Sequence, residues 1–227
     1  MRILAIDTSC RAASVAVLDS GVIEPLVAES RAMARGQAEA IAPMVAEAIR
    51  RVEGGVASID RVAVTIGPGS FTGIRVGVAL ARAMGLALGK PVVGVSTLAA
   101  FAAPLLSEPR TGVIAAAIDA RHGSIYFQLF EPSGRPLGPP RCDSLRECVR
   151  GIGVGPALLA GDAAALLATE AHRSGLPYDL GGAAEAPDIV AVARLGLALD
   201  PPANPPRPLY VKPPDARPNL AAPIASA

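Results

Sequence analysis

The sequence predicts a duplicated, two-lobe α/β fold in which mixed sheets are flanked by helices. Three observations predict it. Ala5-Ile6-Asp7 near the start returns as Ala117-Ile118-Asp119 in the second half, each triplet closing a short apolar run. Each is followed by a second apolar run leading into a glycine-containing turn, Gly21 in one half and Gly134 in the other. Later in each half a further run ends on a glycine, Ile66-Gly67 and Ala160-Gly161. A shared order of elements is the mark of internal duplication.

The elements follow in order. Ile3 to Ile6, Ser14 to Leu18 and Val22 to Ser30, with a turn at Asp19-Ser20-Gly21, read as a three-strand meander. From Ala38 the apolar positions change to a helical period, Ala38, Ile41, Ala42, Val45, Ile49 and Val52, and Gly54-Gly55 ends the helix. Pro43 inside it should kink it or mark its first turn. Arg61 to Ile66 is a strand, Gly67-Pro68-Gly69 a turn, and Ser70 or Thr72 the N-cap of a helix reaching about Leu88. Val92 to Val95 is the next strand. Beyond Glu108-Pro109 come strands at Val113–Ile118, Ser124–Phe130 and Ala157–Ala160, then a helix from Pro187 to about Leu199. The division expected is an N-terminal lobe over 1–107, a smaller lobe over 108–200, and a tail over 201–227. That tail carries nine prolines in 27 residues and should be extended or disordered.

Composition narrows the function. The chain has 227 residues, 51% hydrophobic, and a net charge of +1. Residues 1–107 carry ten positive and eight negative charges, residues 108–227 eleven and twelve, so neither half is a basic footprint for nucleic acid. Three Tyr, four Phe and no Trp leave little to stack on bases. Cys10, Cys142 and Cys148 form an odd set that fits no disulfide framework. Asp7 interrupts the apolar start too early for a signal peptide, and the uncharged run Pro91 to Ser107 falls short of a membrane span. The expectation is a soluble, reduced, cytoplasmic protein with no membrane contact.

The motifs exclude more than they assign. Residues 67–73, GPGSFTG, have neither the glycine spacing nor the Lys of a P-loop. No Asp or Glu lies between Arg61 and Ser107, so a dinucleotide site lacks its ribose acid. His122 and His172 stand in no metal-ligand spacing, and no nucleophile has a base near it in sequence, so neither catalytic nor metal residues are assigned. In the second helix Gly73, Gly77, Ala81, Gly85 and Gly89 recur every four residues as a ridge of small side chains. Each interior Gly costs about 1 kcal/mol relative to Ala, so another backbone should approach closely, either inside the lobe or from a partner.

Two lobes that each open with strand–Asp–strand follow the plan of the actin, hexokinase and Hsp70-type fold, with Asp-bearing turns facing each other across a nucleotide cleft. On that plan Asp7, Thr8, Ser9 and Asp119 are the candidates for nucleotide contact.

Four stretches resemble the TsaB (YeaZ) family: ILAIDTSCRAASVAV at the start, the run from Val64 to Ala100, IDARHGSIY from Ile118, and PLYVKPPDA from Pro208. The resemblance is strong over about residues 1–130. It implies a scaffold or activating subunit rather than an enzyme. Such a subunit binds TsaD, the transferase that places threonylcarbamoyl on adenosine 37 of tRNAs reading ANN codons, and is joined by the ATPase TsaE. It further implies a homodimer when alone, tRNA contact only through the complex, and no cofactor of its own, with ATP or ADP at the interface shared with TsaD. Family members dock through their first two long helices, which places Ile41, Val45, Ile49, Gly73, Gly77, Ala81, Met84 and Gly85 at the partner interface. TsaD itself uses a His-x-x-x-His metal site, which this chain lacks. Many relatives carry a His where Gln37 stands, a departure that bears on any role for that His. The alternative from another class is a stand-alone weak ATPase or a glycoprotease-like hydrolase of the same fold.

Overall fold

The computed structural model describes residues 1–106, 112–176 and 178–212. Glu108-Pro109 and the tail beyond 212 lie outside the described residues.

The first lobe is built on strands β1 (Arg2–Asp7), β2 (Ala12–Asp19), β3 (Val27–Ala32), β4 (Arg61–Gly67) and β5 (Val92–Ser96). They lie side by side in the order β3-β2-β1-β4-β5. The meander is antiparallel, with Ile6 opposite Val15 and Val17 opposite Val27, while β4 and β5 run parallel to β1. The second sheet uses β6 (Val113–Asp119), β7 (Ser124–Phe130), β8 (Arg141–Ser144), β9 (Ala157–Ala160) and β10 (Asp179–Gly182). Its order is β8-β7-β6-β9-β10, with β6 antiparallel to β7 and parallel to β9. Strand for strand this is the first sheet again. Gly67 and Gly161, at the ends of β4 and β9, both adopt left-handed φ, 111° and 104°.

Alternation along the strands sorts side chains onto two faces. In the first sheet Leu4, Ile6, Val62 and Val64 pack under helices α1 (Gln37–Arg50) and α2 (Phe71–Leu88), while Ile3, Ala5, Ala63 and Val93 face the other way. That second face is covered by Ile189, Val192 and Ala193 of α6 (Ile189–Ala198), the last helix of the chain's second half. The second sheet reciprocates. Ala115, Ala117 and Phe127 lie under α4 (Leu145–Ile152) and α5 (Ala164–Arg173), and Ile114, Ala116 and Ile118 lie under Leu98 and Phe101 of α3 (Thr97–Ala102). Each half therefore lends its last helix to the other's sheet. α3, within the expected 1–107 lobe, lays Leu98 and Phe101 on the second sheet while its Ala100 packs with the first, and α6, within the expected 108–200 lobe, covers the first sheet.

Three local expectations shift. The third strand begins at Val27, not Val22, because Val22 and Ile23 belong to an exposed turn that closes on Asp19. Pro43 sits inside α1, on its exposed side. Asp188 caps α6 by accepting from the Val190 N–H, so Pro187 precedes the cap. Ser70 does cap α2, and Gly89 ends it in the left-handed conformation.

Candidate functional site

The turn after β1 is spent on holding the lobe together. Asp7 is fully buried, and its Oδ1 accepts from the Ser9 N–H at 3.0 Å, the Ser9 hydroxyl at 2.6 Å and the Thr65 hydroxyl at 2.5 Å. Its Oδ2 is buried without a partner, and burial raises the pKa of the acid above the usual carboxylate value against the lowering effect of those bonds. The Thr8 hydroxyl donates to the Gly73 carbonyl at 2.7 Å, and the Ser70 N–H donates to the Ser9 carbonyl at 2.7 Å. A Cβ on Gly73 would stand 1.9 Å from the Thr8 carbonyl oxygen, and one on Gly77 2.5 Å from the Thr8 hydroxyl. The glycine ridge thus receives the turn of its own lobe.

The corresponding turn after β6 stays open. Asp119 is exposed, its Oδ1 accepts from the Arg121 N–H at 2.8 Å, and its own N–H donates to Asp162 at 2.8 Å. Arg121 and His122 take left-handed φ in this turn. Burial, followed by the Asp119 charge, pushes Asp162 up to about 6, with the Asp119 N–H and Arg11 acting the other way. Between the lobes lies a cleft of about 640 Å³, walled by Ser9–Arg11, Ala34–Glu39, Pro68–Ile74, Ile118–Arg121, Asp162 and Leu209–Lys212.

The four predicted nucleotide contacts divide. Of the four predicted contacts only Ser9 and Asp119 reach the cleft wall, and the Ser9 hydroxyl and N–H are both committed to Asp7. Asp7 and Thr8 are sealed behind the 67–73 loop. The cleft wall carries both signs of charge, Glu39, Asp119 and Asp162 with Arg11, Arg35, Arg121 and Lys212. Among the described residues no three His, Cys, Asp or Glu converge in a metal-binding group.

The predicted interface residues divide. Gly73, Gly77, Ala81 and Gly85 are buried inside the lobe, as are Ile41 and Val45, so these six are corrected to core positions. Gly85 is pressed against Val92, where a Cβ would come within 2.2 Å of its Cγ2. Ile49 and Met84 are half-buried at the rim of that core. What remains exposed is the opposite side of the same helices, which is mixed: Glu39, Ala42, Pro43, Ala46 and Arg50 on α1, and Arg75, Ala79, Arg82, Ala83, Leu86 and Ala87 on α2. Leu86 is 87% exposed. By length and composition α2 alone among the described helices could cross a membrane, and its glycine side is packed on the sheet.

In the sequence Gln37 stands out only as the place where many relatives carry a His, and Asp162 has no assigned role. Gln37 donates from Nε2 to the Cys10 and Met33 carbonyls at 3.3 and 3.2 Å, tying α1 to the β1–β2 turn. Asp162 follows Gly161 directly, and the repeat that aligned Gly67 with Gly161 could have flagged it.

Two like sheets, exchanged last helices and paired Asp-bearing turns across a cleft define a protein of the two-lobe, actin-like class. The family model described as "TsaD: tRNA N6-adenosine threonylcarbamoyltransferase" matches residues 27–166. The Escherichia coli tRNA threonylcarbamoyladenosine biosynthesis protein TsaB is 36% identical over 58% of this chain and 55% of its own length. An uncharacterized Mycobacterium tuberculosis protein is 33% identical over 95% of this chain and 94% of its own. The solved structure of YeaZ from Pseudomonas aeruginosa, 27% identical, superposes with a TM-score of 0.70 over 87% of this chain and 92% of its own. The chain belongs to the family of that model, in its TsaB (YeaZ) branch. It spans about half the length of the first two curated relatives it matches.

Proposed function

We propose that this chain serves tRNA threonylcarbamoyladenosine biosynthesis as a non-catalytic subunit. It docks TsaD through the outer face of α1 and α2 and supports transfer of threonylcarbamoyl to adenosine 37 of ANN-decoding tRNAs. The TsaB names of its relatives support the pathway. The observation that supports the docking reading is that α2, locked to the sheet by its glycines, turns Leu86 with Ala79, Ala83 and Ala87 to solvent, flanked by Arg75 and Arg82. An exposed leucine among small side chains, rimmed by arginines on a rigid support, is suited to a partner helix surface. In TsaD's absence a second copy occupies the same face. TsaE joins the assembled pair, tRNA is held through the complex, and ATP or ADP sits at the shared interface.

The test is reconstitution of threonylcarbamoyl transfer with TsaD, TsaE, ATP and threonylcarbamoyl-adenylate as donor, reading modified adenosine in tRNA with and without this chain. The unaltered chain should be required, and Leu86→Asp should bind TsaD at least about tenfold more weakly, because an unpaired carboxylate is costly to bury in an apolar contact. Equal modification without the chain, or ATP turnover by the chain alone, would overturn the reading.

A further inference from the structure

The segment after α6 returns across the first lobe without joining its sheet. Pro201, Pro202, Pro205, Pro206 and Pro208 have no N–H to offer a strand ladder. Pro206 is buried over Gly94, where an added Cβ would lie 3.0 Å from the Pro206 Cβ. The Leu209 N–H donates to the Ile66 carbonyl at 2.7 Å, and the Leu209 carbonyl crosses Gly67, where a Cβ would come within 2.8 Å of it. Tyr210 then lies against Phe71 with ring centroids 5.2 Å apart, and its hydroxyl accepts from Arg75 Nε at 2.8 Å. The Arg75 guanidinium in turn stacks 3.7 Å from the centre of the Phe71 ring. Leu209 to Lys212 form one wall of the interlobe cleft.

We propose that residues 206–212 are a hinged strap across the cleft mouth, closed by the Phe71–Arg75–Tyr210 clasp and able to lift while both lobes stay folded. A glycine-floored groove receives the strap, so its closed position is built into the sheet. Its fastening is light by comparison with the core: Phe71 and Tyr210 remain 38% and 45% exposed, and the bond to Ile66 is a single rung rather than a ladder. Segments with few buried contacts open locally well below the cost of global unfolding. Lifting removes one wall of the cleft and frees the loop that leads into α2.

Hydrogen exchange on the full chain, read by mass spectrometry, tests this independently of the proposed function. Tyr210→Ala should speed exchange of Leu209 and of residues 70–74 by about tenfold, the effect of losing one ring contact and one charge-assisted bond. Amides of β1 and β6 should not change. Tyr210→Phe, which keeps the ring and loses the hydroxyl, should give a smaller increase at the same amides. Unchanged exchange at residues 70–74 in Tyr210→Ala would show that the clasp holds nothing. A uniform rise that includes β1 and β6 would show that the segment moves only with global unfolding. Either result overturns the proposal.

Discussion

Thr8 shows how a single residue decides what a neighbouring pattern is for. Its hydroxyl reaches the Gly73 carbonyl and its carbonyl rests on the Gly73 Cα, so the first turns of α2 have no room for side chains there. Gly77→Leu would force a four-carbon side chain toward the Thr8 hydroxyl and Val64. Overpacking of this kind costs about 1–3 kcal/mol. At roughly 2–4 °C per kcal/mol for a chain of this size, the melting temperature should fall by about 2–12 °C. Ala79→Leu, on the exposed side of the same helix, should leave it nearly unchanged. Thermal unfolding of the two variants measures both, and equal melting temperatures would return the glycines to the surface. The spacing of the ridge was legible in the sequence because a four-residue period needs no tertiary information. Its direction was not, since the residue that fills the groove lies 65 positions away in the β1–β2 turn.

At the scale of elements, helices α3 and α6 are the informative ones. Both are short and apolar, and each follows a strand of one half while covering the sheet of the other. Gly196 lets α6 settle on the first sheet, where a Cβ would come within 2.5 Å of the Ala63 Cβ. Arg61 anchors its end by donating to the Gly196, Leu197 and Leu199 carbonyls. A chain ending at residue 188 would leave Ile3, Ala5, Ala63, Val93 and Val95 facing water. Such a chain should lose its cooperative melt and bind a hydrophobic dye, because a sheet left wet on one apolar face forfeits the burial that α6 supplied there. Circular dichroism on heating, with dye fluorescence, checks this; a sharp transition with no dye binding would show the first lobe to be self-sufficient. The sequence divided the chain at 107 because the element order starts again after Glu108-Pro109, and at 200 because prolines crowd the tail. Helix exchange leaves no mark in composition: an apolar helix reads the same whichever sheet it covers. No helix is predicted from the sequence at α4, although its capping box of Ser144 and Glu147 is a signal available in the residues alone.

Across the whole molecule, the cleft brings charge from both lobes together. Asp162, held at about 6, keeps a proton in the folded state that the unfolded chain releases near its ordinary value of 3.8. Between those values the unfolded state binds fewer protons, so this group's contribution to stability falls as pH rises and its penalty is complete above about 6. Asp162→Asn removes the penalty and keeps an oxygen to accept the Asp119 N–H. Its melting temperature should therefore match that of the unaltered chain near pH 4 and exceed it by a few degrees at pH 7.5, the group being half-buried and partly screened. A difference that shrinks with rising pH would contradict the burial of Asp162 in the cleft.

The sequence by itself determined the duplication, the strands that carry it, the second helix with its cap and stop, and the family. Each rests on local periodicity, turn chemistry or recurring residues, which neighbours in the chain are enough to express. Tertiary structure alone decided which face of α2 is buried, that Asp7 is sealed while Asp119 is open, and that the last helix of each half crosses to the other sheet. Those outcomes depend on which surfaces meet, and glycines, alanines and an aspartate take opposite roles according to the atoms placed against them.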